Sequence, residues 1–322
     1  MEAAQTLNNT VMQEMQDGQE QAFHKSYTST AIFASYFIVS STMMLFNKAC
    51  MIVLPAPCTV TLLQVSVTTL LLAAAWFCSV VDIQAVSRVT LSHYVLYSLV
   101  FVLGINFTMR ALASTNVETV LLFRSCSPIL VSAIDTLCLG REIPSRRSCL
   151  AMLCIVLGGT WFACSEFRTH TSSMMRDGLF VNTVNLVLTA VLMTWGKHVT
   201  DTHDVNLTTS VFICNVTSIA PILALAILEK EHLIIREHRW LSVYAVSVIG
   251  TSCVMGTALS YLGWKMRVMM SAASFTVVGV LNKIFTVLVN VVVWQDHAMW
   301  SSTIGLLVSL IAGCFYQQSR LR

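Results

Sequence analysis

The sequence predicts an all-α polytopic membrane protein of ten transmembrane helices, arranged as two inverted five-helix repeats. Three observations predict it. The 322-residue chain is 56% hydrophobic and only 11% charged, with a mean hydropathy of +0.72; a soluble domain carries roughly 25% charged residues. The apolar residues fall into segments of the length a bilayer requires, about 20 residues each. The two halves of the chain echo each other. A single water-soluble core is excluded by this arithmetic, and no loop between the segments is long enough to hold a separate catalytic domain.

The segments lie at 28–49, 58–78, 90–109, 117–138, 148–165, 177–198, 207–228, 240–263, 268–293 and 299–317. They are helices rather than strands, because an open strand leaves its backbone unsatisfied in lipid. Residues 49–81 carry no charge at all, and Pro55 and Pro57 mark the turn between the first two spans. Residues 1–27 are polar and acidic and read as a disordered cytosolic tail, with no cleavable signal peptide. The first repeat is then 28–165, the connecting loop 166–176, the second repeat 177–318 and a cytosolic C-terminus 319–322. An even number of spans places both termini on one side. The excess of Lys and Arg, including Arg141, Arg146, Arg147, Lys265 and Arg267, puts that side in the cytosol.

The repeat shows in three places. Met44 to Lys48 echoes Met193 to Lys197, Thr115 to Thr119 echoes Met270 to Ser274, and Gly158 matches Gly313 at the same offset as the second pair. Units of five spans must face opposite ways, and inverted repeats around a central site are a transporter architecture.

Other chemistries find little support. A net charge of +3 is too small for a nucleic-acid binder, and the 11 cysteines show no metal-ligand spacing. No nucleophile–base constellation marks an enzyme, so neither catalysis, a metal nor a cofactor is expected. The charged loop from Glu229 to Arg239 reads as solvated surface, and the glycines at 158 and 159 as packing points.

What remains is charge inside the spans. Lys48, Arg124, Lys197 and Lys283 are cations within or at the ends of apolar segments, and Asp135 is an acid deep in the fourth. Each charge at a span centre costs about 2.5–3.5 kcal/mol, so it needs a partner or a wet cavity. Arg124 and Lys283 interrupt repeat-related spans, the arrangement that best points to a central site. Two cations near one axis suit a phosphorylated anion, Arg as a planar fork and Lys as a point charge. Asp135 and Lys197 read as gating or structural charges, and Lys48 is open to snorkelling. On a helix, Phe275, Gly279 and Asn282 share a stripe beside Lys283. Asn215 is suited either to a ligand's base edge or to helix–helix contact.

These residues carry a resemblance. Leu122-Phe123-Arg124-Ser125 with Pro128, Lys197-His198-Val199, Phe212-Ile213-Cys214-Asn215, Gly279-Val280-Leu281-Asn282-Lys283 and the stretch Met299 to Gln318 are similar to the nucleotide-sugar transporters of the drug/metabolite transporter superfamily, and among them to the Golgi GDP-sugar transporters. The resemblance covers all ten spans. It implies antiport of a cytosolic GDP-sugar such as GDP-mannose against a nucleoside monophosphate, in a multi-pass Golgi (or endoplasmic reticulum) membrane protein, with a homodimer compatible. It assigns substrate binding to Phe275, Gly279, Asn282 and Lys283 at the sugar–phosphate end, and to Phe212, Cys214 and Asn215 at the base. Arg124 and Lys48 join them as candidates. The family's Gly-Ala-Leu-Asn-Lys motif changes here only at Val280. Its Phe-Tyr-Asn-Asn motif keeps only Phe212 and Asn215, which leaves a UDP-sugar or another phosphorylated metabolite open as the substrate. A non-transporting membrane receptor or scaffold is the reading from another class.

Overall fold

The computed structural model describes residues 30–138, 144–166, 172–237, 242–269, 272–293 and 300–315. The tail 1–27, the C-terminus 319–322 and the side chains of Asp135, Lys197 and Phe275 lie outside the described residues. Every regular element among the described residues is a helix. In chain order these are α1 (Thr30–Val53), α2 (Pro57–Phe77), α3 (Arg88–Ser114), α4 (Val117–Ser125), α5 (Ser127–Cys138), α6 (Arg146–Glu166), α7 (Ser172–Thr202), α8 (Leu207–Leu228), α9 (Glu231–Glu237), α10 (Val243–Met269), α11 (Ala272–Val293) and α12 (Trp300–Phe315). Among the described residues, eight spans are long and apolar enough to cross a membrane, and two shorter apolar helical stretches, Leu281–Val293 and Trp300–Phe315, follow them. The chain is a polytopic membrane protein.

The helix starts follow local chemistry. Ser87, Asn116 and Asn206 cap α3, α4 and α8, each side chain accepting the backbone N–H three residues on. Two features depart from the sequence expectation. The fourth span is broken at Cys126 into α4 and α5. The stretch expected to be solvated beyond Leu228 instead contains α9, whose Glu231 is 1% exposed.

The reason for the second departure lies in α2. Pro57 is its first residue, and its N-cap position is Ala56, which has no side-chain acceptor. Glu231 supplies it from far along the chain. One carboxylate oxygen accepts from Cys58 N at 2.8 Å, and the other accepts from Thr59 N and Thr59 Oγ1, both at 2.7 Å. Those are the N–H groups a local cap would serve. Beside it, Arg110 pairs with Glu229 at 2.5 Å, which ties the end of α3 to the end of α8.

At one crossing two glycines bring the helices close together. A Cβ on Gly158 of α6 would stand 2.6 Å from the Gly305 carbonyl oxygen, and one on Gly305 of α12 would stand 2.7 Å from the Gly158 oxygen. Backbone meets backbone at this crossing, as small residues allow in membranes. Ser309 adds a hydrogen bond to the Ile155 carbonyl at 3.0 Å. The partner that Gly158 meets is thus Gly305, which the repeat comparison did not single out. An apolar cluster including Leu45, Leu112, Leu121, Phe162, Val287 and Leu306 gathers α1, α3, α4, α6, α11 and α12 around the end of α4.

Candidate functional site

The break in the fourth span creates the first part of the site. Pro128 has no N–H, so the carbonyl of Arg124, four residues earlier, lacks its normal helical donor. That carbonyl accepts from Ser127 Oγ at 2.8 Å and from Lys283 Nζ at 3.3 Å. The proline therefore leaves a carbonyl dipole that holds an ammonium from α11. Sequence reading placed Arg124 and Lys283 in corresponding spans; the structure brings them into contact, through the backbone of one and the side chain of the other.

The Arg124 guanidinium turns toward α3. Its Nη2 donates to Thr108 Oγ1 at 3.0 Å. The Thr108 hydroxyl in turn faces two acceptors, the Gly104 carbonyl at 2.8 Å and Asn185 Oδ1 of α7 at 2.9 Å. Four helices thus meet in one hydrogen-bonded chain. Among the described residues, no carboxylate lies within ion-pair distance of Arg124 or Lys283. The buried Arg124 Nε and Asn185 Nδ2 have no hydrogen-bond partner among those residues, and neither amide atom of Asn282 has one. Asn282 is 5% exposed. This is a donor-rich, positively charged interior, and the species it suits is an oxyanion. Gly279, one turn before Lys283, has open space where a Cβ would stand.

Substituting Pro128 tests the carbonyl's part. Pro128→Ala returns an N–H to the Arg124 oxygen, joins α4 to α5 and releases Lys283. It is expected to raise ligand-free thermal stability and to weaken stabilisation by phosphate-bearing ligands roughly tenfold, the worth of one charge-assisted hydrogen bond. An unchanged ligand titration would remove this carbonyl from the site.

The second part lies on α8. Cys214 and Asn215 are both 6% exposed. Asn215 Nδ2 donates to Val211 O at 2.8 Å within its own helix, and Phe212 is half-buried. Among the described residues no hydrogen bond joins this set to Arg124 or Lys283. The helix beside both is α3: Ser98 meets Thr217 at 2.6 Å and the Cys214 carbonyl at 3.3 Å, whereas Thr108 meets Arg124. At 1.5 Å per residue, Ser98 and Thr108 stand about 15 Å apart along α3. The arrangement suits an elongated ligand, charged at one end.

Lys48 sits one turn beyond Thr108. Its ammonium donates to the carbonyls of Leu112 and Thr115, at 2.7 and 2.9 Å, and so serves the C-terminal end of α3. Glu118, fully buried at the start of α4, accepts from Asn290 Nδ2 of α11 at 2.8 Å. Sequence reasoning missed Thr108, Asn185 and this α4–α11 contact. The sequence signal for the asparagine is weak: Asn182 and Asn185, three residues apart, share one face of α7.

One further cluster has metal-ligating atoms, with Cys58, Glu229 and Glu231 within 4.8 Å of one another. Glu231 is occupied by α2, Glu229 by Arg110, and Cys58 accepts from Asn106 Nδ2 at 2.8 Å. These engagements make the cluster a joint between α2, α3, α8 and α9.

Comparison with known proteins adds to this geometry. The model of the Triose-phosphate Transporter family matches residues 28–317. The GDP-mannose transporter GONST3 of Arabidopsis thaliana is 28% identical over 304 residues, covering 90% of this chain and 78% of its own. GDP-fucose transporter 1 of the same plant is 28% identical over 302 residues, covering 92% of this chain and 87% of its own. A solved crystal structure of another protein, 13% identical, superposes with a TM-score of 0.58 over 90% of this chain and 97% of that one. That last likeness concerns the fold alone.

Proposed function

The chain belongs to the Triose-phosphate Transporter family, and on that premise we propose that it is a nucleotide-sugar antiporter carrying a GDP-sugar against GMP. The reading places it in the Golgi membrane with both termini in the cytosol, and takes the chain as ten spans in two inverted units, 28–165 and 177–318. The names of its two plant relatives favour a GDP-sugar. The observation that carries the reading is the contact of Lys283 with the Arg124 carbonyl beside a guanidinium and orphan amide donors, with no carboxylate to neutralise them among the described residues. Two half-buried cations with no acid beside them among the described residues are costly in a membrane interior, and that cost is offset when a diphosphate enters.

In this mechanism Lys283 and Asn282 hold the diphosphate sugar with Arg124, and Asn215 meets the base. The two units rock about the loaded site. Exchange rather than uniport follows if the empty carrier reorients slowly, since a ligand moves the equilibrium only by its differential affinity for the two states. A second reading is favoured by Ile213 and Cys214: fewer polar groups face a base there, which suits a UDP-sugar or another phosphorylated metabolite.

The test is exchange in proteoliposomes. Vesicles are preloaded with GMP, UMP, AMP or CMP and offered labelled GDP-mannose or GDP-fucose, with protein-free vesicles as background. Uptake stimulated by GMP alone is expected. Stimulation by UMP with a UDP-sugar would replace the guanine assignment, and no exchange with any nucleotide sugar would overturn the transporter reading.

A further inference from the structure

The packing of α7 along α3 sets two asparagines at zero exposure, Asn182 and Asn185. The helices approach closely there: a Cβ on Gly178 would stand 2.7 Å from Thr115 Cγ2. The two asparagines differ in which atom is spent. Asn182 Nδ2 donates to Gly178 O at 2.9 Å and to Thr115 Oγ1 at 3.3 Å, leaving its Oδ1 as an orphan acceptor. Asn185 is the reverse. Its Oδ1 accepts from Thr108 at 2.9 Å, and Nδ2 is an orphan donor among the described residues.

A buried amide donor left unmade costs about 1–3 kcal/mol. A residue kept only for packing meets the same cost with no return, and an apolar residue of that size would fill the space as well. The neighbours of Asn185 give the donor a use. Thr108 joins it directly to the Arg124 guanidinium, whose Nε is also an orphan donor. Two unspent donors, one of them charged, stand within a single hydrogen-bonded chain.

We propose that Asn185 is a further ligand-anchoring residue of this site, its Nδ2 donating to the same phosphate oxygens that Arg124 neutralises. The proposal rests on the anion-exchanger reading. It brings α7 into the site and pairs a cation from one half of the chain with a neutral donor from the other. A neutral donor adds directionality to an anion contact without adding a third charge to be desolvated when the site is empty.

The experiment compares Asn185→Leu, Asn185→Asp and Asn182→Ala in purified full-length protein. Ligand-dependent thermal shift is measured with pyrophosphate, nucleoside mono- and diphosphates and the uncharged nucleoside; exchange KM and maximal rate are measured in proteoliposomes. Asn185→Leu is expected to raise KM and the apparent Kd for phosphate-bearing ligands about tenfold with maximal rate within twofold. Asn185→Asp is expected to abolish both signals, because it places a carboxylate against the anion. The loss should be the same for every base and absent for the nucleoside. Asn182→Ala should match the wild type in KM.

A fall in ligand-free stability or maximal rate with unchanged KM would overturn the proposal and leave Asn185 a packing residue. The same result from Asn182→Ala as from Asn185→Leu would overturn it too, by showing that the two amides serve each other. Should Asn185→Leu fail to fold, Asn185→Ser withdraws the Nδ2 donor while keeping an acceptor for Thr108, and carries the same expectation. If the wild type exchanges no nucleotide yet is stabilised by pyrophosphate, the substrate reading fails and Asn185 is still judged on that shift. If no phosphate compound stabilises the wild type, both fail.

Discussion

Lys283→Ala should reduce exchange by about two orders of magnitude, roughly 2.8 kcal/mol at 1.4 kcal/mol per tenfold, while leaving the ligand-free protein at least as stable as the wild type. The two halves of that expectation share one cause. The ammonium donates a long bond, 3.3 Å, to the Arg124 carbonyl and has no carboxylate partner among the described residues. Without ligand it is a half-buried charge that the fold must support; with ligand it is a charge-assisted donor, worth about 1.5–3 kcal/mol. Lys283→Arg keeps the charge but changes a point donor into a planar fork, and should recover only part of the rate. Exchange and thermal unfolding measured on one preparation settle both halves. Retention of more than about a tenth of the wild-type rate, or a marked loss of ligand-free stability, would make the lysine a structural partner of the α4 break rather than a ligand group.

The largest expected effect on stability comes from the other end of the chain's charge inventory. Glu231→Ala should destabilise the protein by about 3 kcal/mol or more, because two N–H groups at the start of α2 and a threonine hydroxyl lose their acceptor together, at about 1–3 kcal/mol for each buried orphan. Glu231→Gln should recover part of this, since it keeps one carbonyl oxygen but turns an amide N–H₂ toward donors. The sharper check is a suppressor. Ala56 occupies the N-cap position of α2 without a cap, so Ala56→Ser in the Glu231→Ala background should restore about 1 kcal/mol by supplying the oxygen locally. Thermal unfolding in detergent reads all of these. Wild-type stability in Glu231→Ala would end the remote-cap argument, and failure of Ala56→Ser to help would place the loss in the packing of α9.

Apolar segments and the charges within them were legible because each is a local excess against a uniform background. Arg124 and Lys283 stand out in runs of Val, Leu and Phe, and the structure joins them. The break at Cys126 was not foreseen, since Pro128 near the start of a helical turn is common; its effect is felt four residues back, at a carbonyl with no side-chain signature. Glu231 was read as solvated surface because it lies among charged neighbours, and the N–H groups it serves are 173 and 172 positions away. Thr108 and Asn185 carry no charge, and polar residues of their kind recur throughout these spans: only the crossing of α3 and α7 makes them a pair. The side-chain roles expected for Phe275, Asp135 and Lys197 stay with the sequence argument.

The glycine crossing of α6 and α12 has a mechanical meaning. Two helices whose backbones touch, with Ser309 bonded to the Ile155 carbonyl, have a fixed register. A slide of one turn would carry Cys154 or Phe162 to the spot where Gly158 has no side chain, against the Ser309 hydroxyl and the main chain of Gly305 and Ser309. Intermediate positions are closed to this pair, so it behaves as a single beam. Spin labels placed on these two helices should keep one separation whether the protein is empty or loaded, and would provide the stationary frame against which displacement of every other helix is measured.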